Sequence, residues 1–238
     1  MEKKIPLIII AGPTGIGKSS LGLELANILK TEIISADSRQ IYKEFDIGTA
    51  KPTIEEQNLV KHHLIDIREP EICFTVAEYI NITKPLIKEI FNKGKIPLMV
   101  GGTGLYIKSV LEDFYVPAVE PLPELRKQIR EEAEKYGNRV IYEKAEKIDP
   151  EAVGKIHEND LFRIIRVIEV FESTGKTLSS QRGKSLENIY DALYIGLNIE
   201  REILYQRIGQ RVENMVKTGL IEEVSALIKK YGKDLKLL

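Results

Sequence analysis

Cysteine is almost absent: Cys73 stands alone among 238 residues, which rules out an internal disulfide and suits a reducing compartment. Long hydrophobic runs are missing as well, since no stretch approaches the roughly 18 apolar residues that a membrane-spanning helix needs. Lys3 and Lys4 precede an apolar run that is too short for a signal peptide and ends in a glycine loop. A cytoplasmic protein with no membrane partner is therefore expected. Excess charge of either sign is lacking: 35 basic and 36 acidic residues leave a formal net charge of −1. That balance neither favours nor excludes a nucleic-acid partner, because binding depends on where Lys and Arg cluster. Internal repeats and low-complexity segments are absent too. What remains, 43% hydrophobic and 30% charged residues, is ordinary globular composition, and the length suffices for one domain with a sizeable insertion.

Ile5 to Ile10 is a compact apolar run, the pattern of a buried parallel strand, and Ser19 to Lys30 follows with helical apolar spacing. Thr31 to Ser35 reads as a second strand and Ile96 to Val100 as a third, with a helix over Val76 to Asn92 that Pro85 bends or interrupts. After Tyr115 the character changes. A proline-rich connector, Pro117 to Pro123, leads into charged amphipathic helices at Glu124 to Tyr136 and Ile141 to Ile148, and into a helix at Leu161 to Thr174 closed by Gly175. Asp191 to Ile199 returns to strand character, and Arg201 to Lys230 shows long helical spacing. The expected fold is α/β: a parallel-sheet core like that of P-loop NTPases, residues 1–116 and 188–238, interrupted by a mostly helical insertion over 117–187.

Gly12-Pro13-Thr14-Gly15-Ile16-Gly17-Lys18-Ser19 satisfies G-x-x-x-x-G-K-[ST] between a predicted strand and a predicted helix, the context the motif requires. The glycines let successive backbone N–H groups face phosphate oxygens, the helix N-terminus adds its positive end, Lys18 supplies a mobile charge, and the Ser19 hydroxyl can bind Mg²⁺. An ATPase would also want a strand ending in Asp or Glu to hold the metal and polarise water. Here the strand ends Met99-Val100-Gly101-Gly102-Thr103-Gly104, which disfavours hydrolysis and leaves a small-molecule kinase open.

At the end of the second strand, Ser35-Ala36-Asp37-Ser38-Arg39-Gln40 places a carboxylate, a hydroxyl and an amide on the same sheet edge as the phosphate loop. An isolated Asp there is most often a turn former or helix cap. The longer text overrides that prior: SADSRQIYKEFDIGTAKP, then HHLIDI, then GGTGLYI, then the stretch from His157 to Gly175 and the one from Arg201 to Ile208. Together these stretches closely resemble the tRNA dimethylallyltransferase (tRNA isopentenyltransferase) family, over nearly the whole chain and in order.

The resemblance implies transfer of a dimethylallyl group from dimethylallyl diphosphate to N6 of adenosine 37, beside the anticodon of tRNA. It implies Asp37 as the base that takes the amine proton, and Lys18, the loop amides, Mg²⁺ at Ser19 and Arg201 as stabilisers of the leaving diphosphate. Thr103 is implied to contact substrate or tRNA, with helix capping as its alternative role. Ser38, Arg39 and Gln40 fall in the stretch that meets tRNA, and Arg126, Arg163 and Arg166 match further tRNA contacts. Phe162 stands where family members carry a polar residue, and an aromatic there would stack on a base. A monomer is expected.

His62 and His63 are expected to be structural or near the substrate rather than metal ligands, because adjacent residues rarely point at one centre. Cys73 is expected to be a small buried hydrophobe. The family runs on beyond this chain's final Asp234 to Leu238, so a truncated chain that binds tRNA poorly is expected. The competing readings are an adenylate (free-nucleotide) isopentenyltransferase, a P-loop kinase and a non-catalytic RNA-binding module.

Overall fold

The computed structural model describes residues 4–112, 119–181, 189–235 and 237. In chain order the elements are β1 (Ile5–Ala11), α1 (Lys18–Leu29), β2 (Ile33–Ser35), α2 (Ile54–Leu59), β3 (His62–His63), α3 (Val76–Asn92), β4 (Leu98–Gly101) and α4 (Gly104–Leu111). There follow α5 (Pro123–Tyr136), α6 (Asn138–Ile148), α7 (Pro150–Val153), α8 (Leu161–Thr174), β5 (Tyr190–Gly196), α9 (Arg201–Lys217) and α10 (Leu220–Tyr231). Two compact units result: Met1–Glu112 with Glu187–Leu238, and Asp113–Leu186. The boundaries expected at 116/117 and 187/188 lie outside the described residues.

The first unit is built on a five-stranded parallel sheet of order β3-β2-β4-β1-β5. β1 sits inside the sheet and pairs along its full length with β5, from Ile5 opposite Tyr190 to Ala11 opposite Gly196. Its continuous apolar sequence follows from that place, because helices cover both faces of a parallel sheet and leave no solvated side to alternate with. Ile9, Ile34, Met99, Ile87 and Ile90 are fully buried between the sheet and α3, and burying each such side chain stabilises the fold by about 1.5–3 kcal/mol. Thr75 and Glu78 form a reciprocal capping box that starts α3, and that helix runs on through Pro85. Among the described residues, no helix is long and apolar enough to cross a membrane.

Several expectations are corrected. β3 was not anticipated, because two polar residues carry no periodicity; it is recruited to the sheet edge beside Ile33 and Ile34. The helical spacing from Arg201 to Lys230 belongs to two helices, broken where Gly219 adopts φ +110°. β5 ends at Gly196, three residues before the predicted strand does. Cys73 is exposed rather than buried.

The second unit packs α5 to α8 around Ile129, Ile141, Ile164, Ile165 and Val167. Leu122, Arg126 and Arg166 converge there on one fully buried carboxylate, that of Glu169.

Candidate active site

The carboxyl ends of β1, β2 and β4 deliver the phosphate loop, the Asp37 turn and the GGTG turn to one edge of the sheet, where ligands of open α/β sheets bind. A cavity of about 80 Å³ opens at that edge, and Thr14, Lys18, Ser19, Asp37, Gln40 and Arg211 are among its lining residues.

The phosphate loop is shaped from behind by α9. A Cβ on Gly15 would come within 3.0 Å of Ile208, and the Arg207 guanidinium donates to the Ile16 carbonyl at 3.4 Å. Gly17 takes φ +103° at the start of α1, a conformation that a side chain would strain. Lys18 donates from Nζ to the Pro13 carbonyl at 2.8 Å. Burial pushes the Lys18 ammonium below its usual pKa, with Arg211 acting in the same direction and Asp37 opposing it. An anion arriving beside Lys18 would relieve that cost.

Asp37 is held by the seam between β2 and β4. The Ala36 amide donates to Val100 at 2.8 Å and the Thr103 amide donates to Ala36 at 3.0 Å. Gly101 allows that approach: a Cβ there would lie 2.2 Å from the Ala36 oxygen. The Oδ1 of Asp37 accepts from the amides of Arg39 (2.8 Å) and Gln40 (3.4 Å), the turn-forming role. No hydrogen bond from the described residues reaches Oδ2, and the residue lines the cavity, so the turn-forming role leaves that oxygen open to a ligand. The Thr103 hydroxyl does not cap α4, which corrects the capping alternative; it accepts from the Ser38 amide at 3.0 Å and locks the two turns together.

The remaining expected residues divide. Gln40 is buried, and its amide donates to the carbonyls of Thr49 (3.3 Å) and Ala50 (3.1 Å); Arg39 is exposed beside it. Arg201 is not among the cavity residues: its Nε donates to the Tyr205 hydroxyl at 2.7 Å and its guanidinium lies over that ring. Arg211, which sequence reasoning missed, lines the cavity instead. The signal was available, since Arg207, Arg211 and Met215 recur at four-residue spacing and share one face of α9. His62, expected to be structural or near the substrate, lines the cavity. Its Nδ1 donates to the Val60 carbonyl at 2.7 Å and burial lowers its pKa, so the ring is neutral and Nε2 carries the lone pair. His63 turns elsewhere, to Glu32 at 2.7 Å.

In the helical unit, Arg126 grips Glu169 through two 2.7 Å bonds, and Arg166 reaches the same carboxylate at 2.7 Å. Burial alone would raise the Glu169 pKa, but the hydrogen bonds from Arg126 and Arg166 override it and hold the group at about 2. Arg163 and Phe162 are exposed, Arg163 pairing with Asp160 at 3.2 Å and Phe162 lying under the Arg126 guanidinium. Arg163 is thus exposed, whereas Arg166 is half-buried against Glu169.

Oxygen donors for a cation in the cavity include the Ser19 hydroxyl and the Asp37 carboxylate. Among the described residues no group of three or more His, Cys, Asp or Glu could hold a metal by itself. Such a donor set fits Mg²⁺, which keeps several waters and takes substrate phosphate oxygens as ligands.

The family model described as IPP transferase matches residues 40–238. The tRNA dimethylallyltransferase of Halothermothrix orenii is 49% identical over 227 residues, spanning 94% of this chain and 69% of that one. The counterpart from Thermoanaerobacter sp. is 48% identical over 97% of this chain and 75% of its own length. Among solved structures, the full-length tRNA isopentenylpyrophosphate transferase of Bacillus halodurans is similar over 98% of this chain and 73% of that chain, at 39% identity and TM-score 0.66. A eukaryotic dimethylallyltransferase acting on tRNA aligns with TM-score 0.78 at 31% identity, over 97% of this chain and 57% of that one. With a phosphate loop, a carboxylate turn and a glycine-rich turn meeting at one sheet edge, and with matches of this extent, the chain belongs to the IPP transferase family.

Proposed function

We propose that the chain transfers the dimethylallyl group of dimethylallyl diphosphate to N6 of adenosine 37 in the anticodon loop of tRNA, releasing diphosphate. The observation that carries this reading is the shared cavity of Lys18, Ser19 and Asp37: an anion grip and a proton acceptor sit together, and β4 ends in Gly101 with no carboxylate of the kind hydrolysis needs.

The exocyclic amine of adenine is a weak nucleophile because its lone pair is delocalised into the ring. As N6 forms its bond to C1 of the prenyl group, the C1–O bond to diphosphate breaks and a proton must leave nitrogen. The Asp37 oxygen without a backbone partner accepts that proton. Charge building on the departing diphosphate is met by Lys18, the loop amides and the Arg211 guanidinium. Mg²⁺, held by Ser19 together with diphosphate oxygens, would supply further neutralisation of that charge. Thr103 keeps the Asp37 turn in register through Ser38.

Arg163 and Phe162, exposed on α8, are the residues of the helical unit suited to tRNA backbone and base contact. Arg126 and Arg166 serve that surface indirectly by fixing α5 to α8 through Glu169. The reading is of a monomer acting in the cytoplasm, where the tRNA substrate is found.

The test is incubation with Mg²⁺, dimethylallyl diphosphate and unmodified tRNA carrying adenosine at position 37, then digestion and mass analysis. Isopentenyladenosine is expected; its absence, with AMP prenylated instead, would replace this reading by the free-nucleotide one.

A further inference from the structure

The loop from Phe45 to Pro52 forms one wall of the cavity through Thr49, Ala50 and Pro52. Its conformation is costly: Ala50 takes φ of +48°, and Glu44, just before the loop, takes +65°, which costs a residue with a Cβ about 1–2 kcal/mol. Something must hold it. From the cavity side, the Gln40 amide donates to the carbonyls of Thr49 and Ala50. From within, the Lys51 ammonium, its side chain only 4% exposed, donates to the Tyr42 carbonyl and pairs with Asp46 and Asp66.

The third restraint comes from α10, some 175 residues further along the chain. The Glu223 carboxylate accepts from three successive amides: Oε2 from Asp46 (2.9 Å) and Ile47 (2.7 Å), and Oε1 from Gly48 (2.9 Å). Three consecutive N–H groups pointed at one anion form a backbone nest. The other end of α10 repeats the grip, with Lys230 (2.5 Å) and Tyr231 (2.7 Å) both bonded to Glu44. Leu227, between the two ends, is buried in the core and anchors the helix.

We propose that Glu223 is a positioning residue of the catalytic cavity, holding the 46–50 wall in its strained, reactive form from outside the site. The proposal rests on the prenyl-transfer reading. A carboxylate can serve all three amides, a Gln side chain offers one oxygen, and Ala offers none. Asp46 and Gly48 are exposed, so water replaces the lost bonds at small cost to the fold; what changes is where Thr49 and Ala50 stand.

The experiment compares wild type with Glu223→Gln, Glu223→Ala and the control Glu222→Gln, which removes a neighbouring charge from the same helical turn. Turnover is measured below the melting range of all four, alongside hydrogen exchange at the amides of Ile47 and Gly48. Exchange should quicken and kcat fall in the order Glu, Gln, Ala, with about a tenfold loss for Ala, as expected for a modest displacement of reacting groups. The melting temperature and the Glu222→Gln variant should hardly change. Wild-type exchange or wild-type kcat in Glu223→Ala would overturn the proposal while leaving prenyl transfer standing. No product from wild type would overturn the functional reading and this proposal with it.

Discussion

Replacing Asp37 by Asn separates the turn-forming role that the structure shows from the proton-accepting role proposed for this residue. Its Oδ1 accepts from the Arg39 and Gln40 amides at 2.8 and 3.4 Å, whereas Oδ2 takes no hydrogen bond from the described residues. Asn keeps an oxygen at the first position, so the turn survives and folding stability should change by less than about 1 kcal/mol. The proton acceptor is lost. General-base assistance is typically worth about 10²–10⁴ in rate, or about 3–5 kcal/mol of transition-state stabilisation. Asp37→Ala removes the turn bonds as well and should lose about 1 kcal/mol of stability in addition. Asp37 also opposes the effect of burial on Lys18, so its neutralisation lets the Lys18 pKa fall further, and the alkaline limb of diphosphate affinity should move to lower pH. The assay is single-turnover formation of isopentenyladenosine at saturating substrate, with thermal melts in parallel. An Asn variant that melts like wild type and keeps its single-turnover rate would refute a role for Asp37 as base.

Arg211→Ala should raise KM for dimethylallyl diphosphate by roughly tenfold to a hundredfold, the worth of about 1.5–3 kcal/mol for a hydrogen bond to a charged group; Arg201→Ala, whose guanidinium lies on Tyr205, should do much less, and steady-state kinetics on the pair decides between them. Glu169→Ala removes the buried carboxylate shared by Arg126 and Arg166 and should cost about 3–5 kcal/mol by chemical denaturation. Because folding holds Glu169 at about 2 rather than 4.5, its contribution is complete above the unfolded value and disappears as pH falls from about 4.5 towards 2. Stability measured across that acid window should decline less steeply in Glu169→Gln than in wild type.

Much of the site was legible in local sequence because its chemistry sits at strand ends. The phosphate loop must follow a strand and open a helix, and β1 and α1 flank Gly12 to Ser19 as that motif demands. Asp37 and Thr103 follow β2 and β4 in the same way. The arginines were not legible. Arg126 and Arg166 look like surface cations at helical spacing, and only packing shows that both turn inward to Glu169. Arg201 and Arg211 lie on one helix with equal charge, and the choice between them depends on which face of α9 meets the phosphate loop.

By itself the sequence determined the parallel-sheet core, the strand-loop-helix around Gly12 to Ser19, the helical insertion and the helix stop at Gly175, because each depends on residues within a few positions of one another, where sterics and apolar spacing act directly. Tertiary structure alone decided the cavity: that Arg211 and His62 join Asp37, that Gly101 lets Ala36 approach, and that a carboxylate on α10 grips the amides of residues 46–48. These contacts join residues from about 25 to 180 positions apart, and no local pattern records them, because the hydrogen bonds and charges involved act over a few ångströms that only the folded chain brings about.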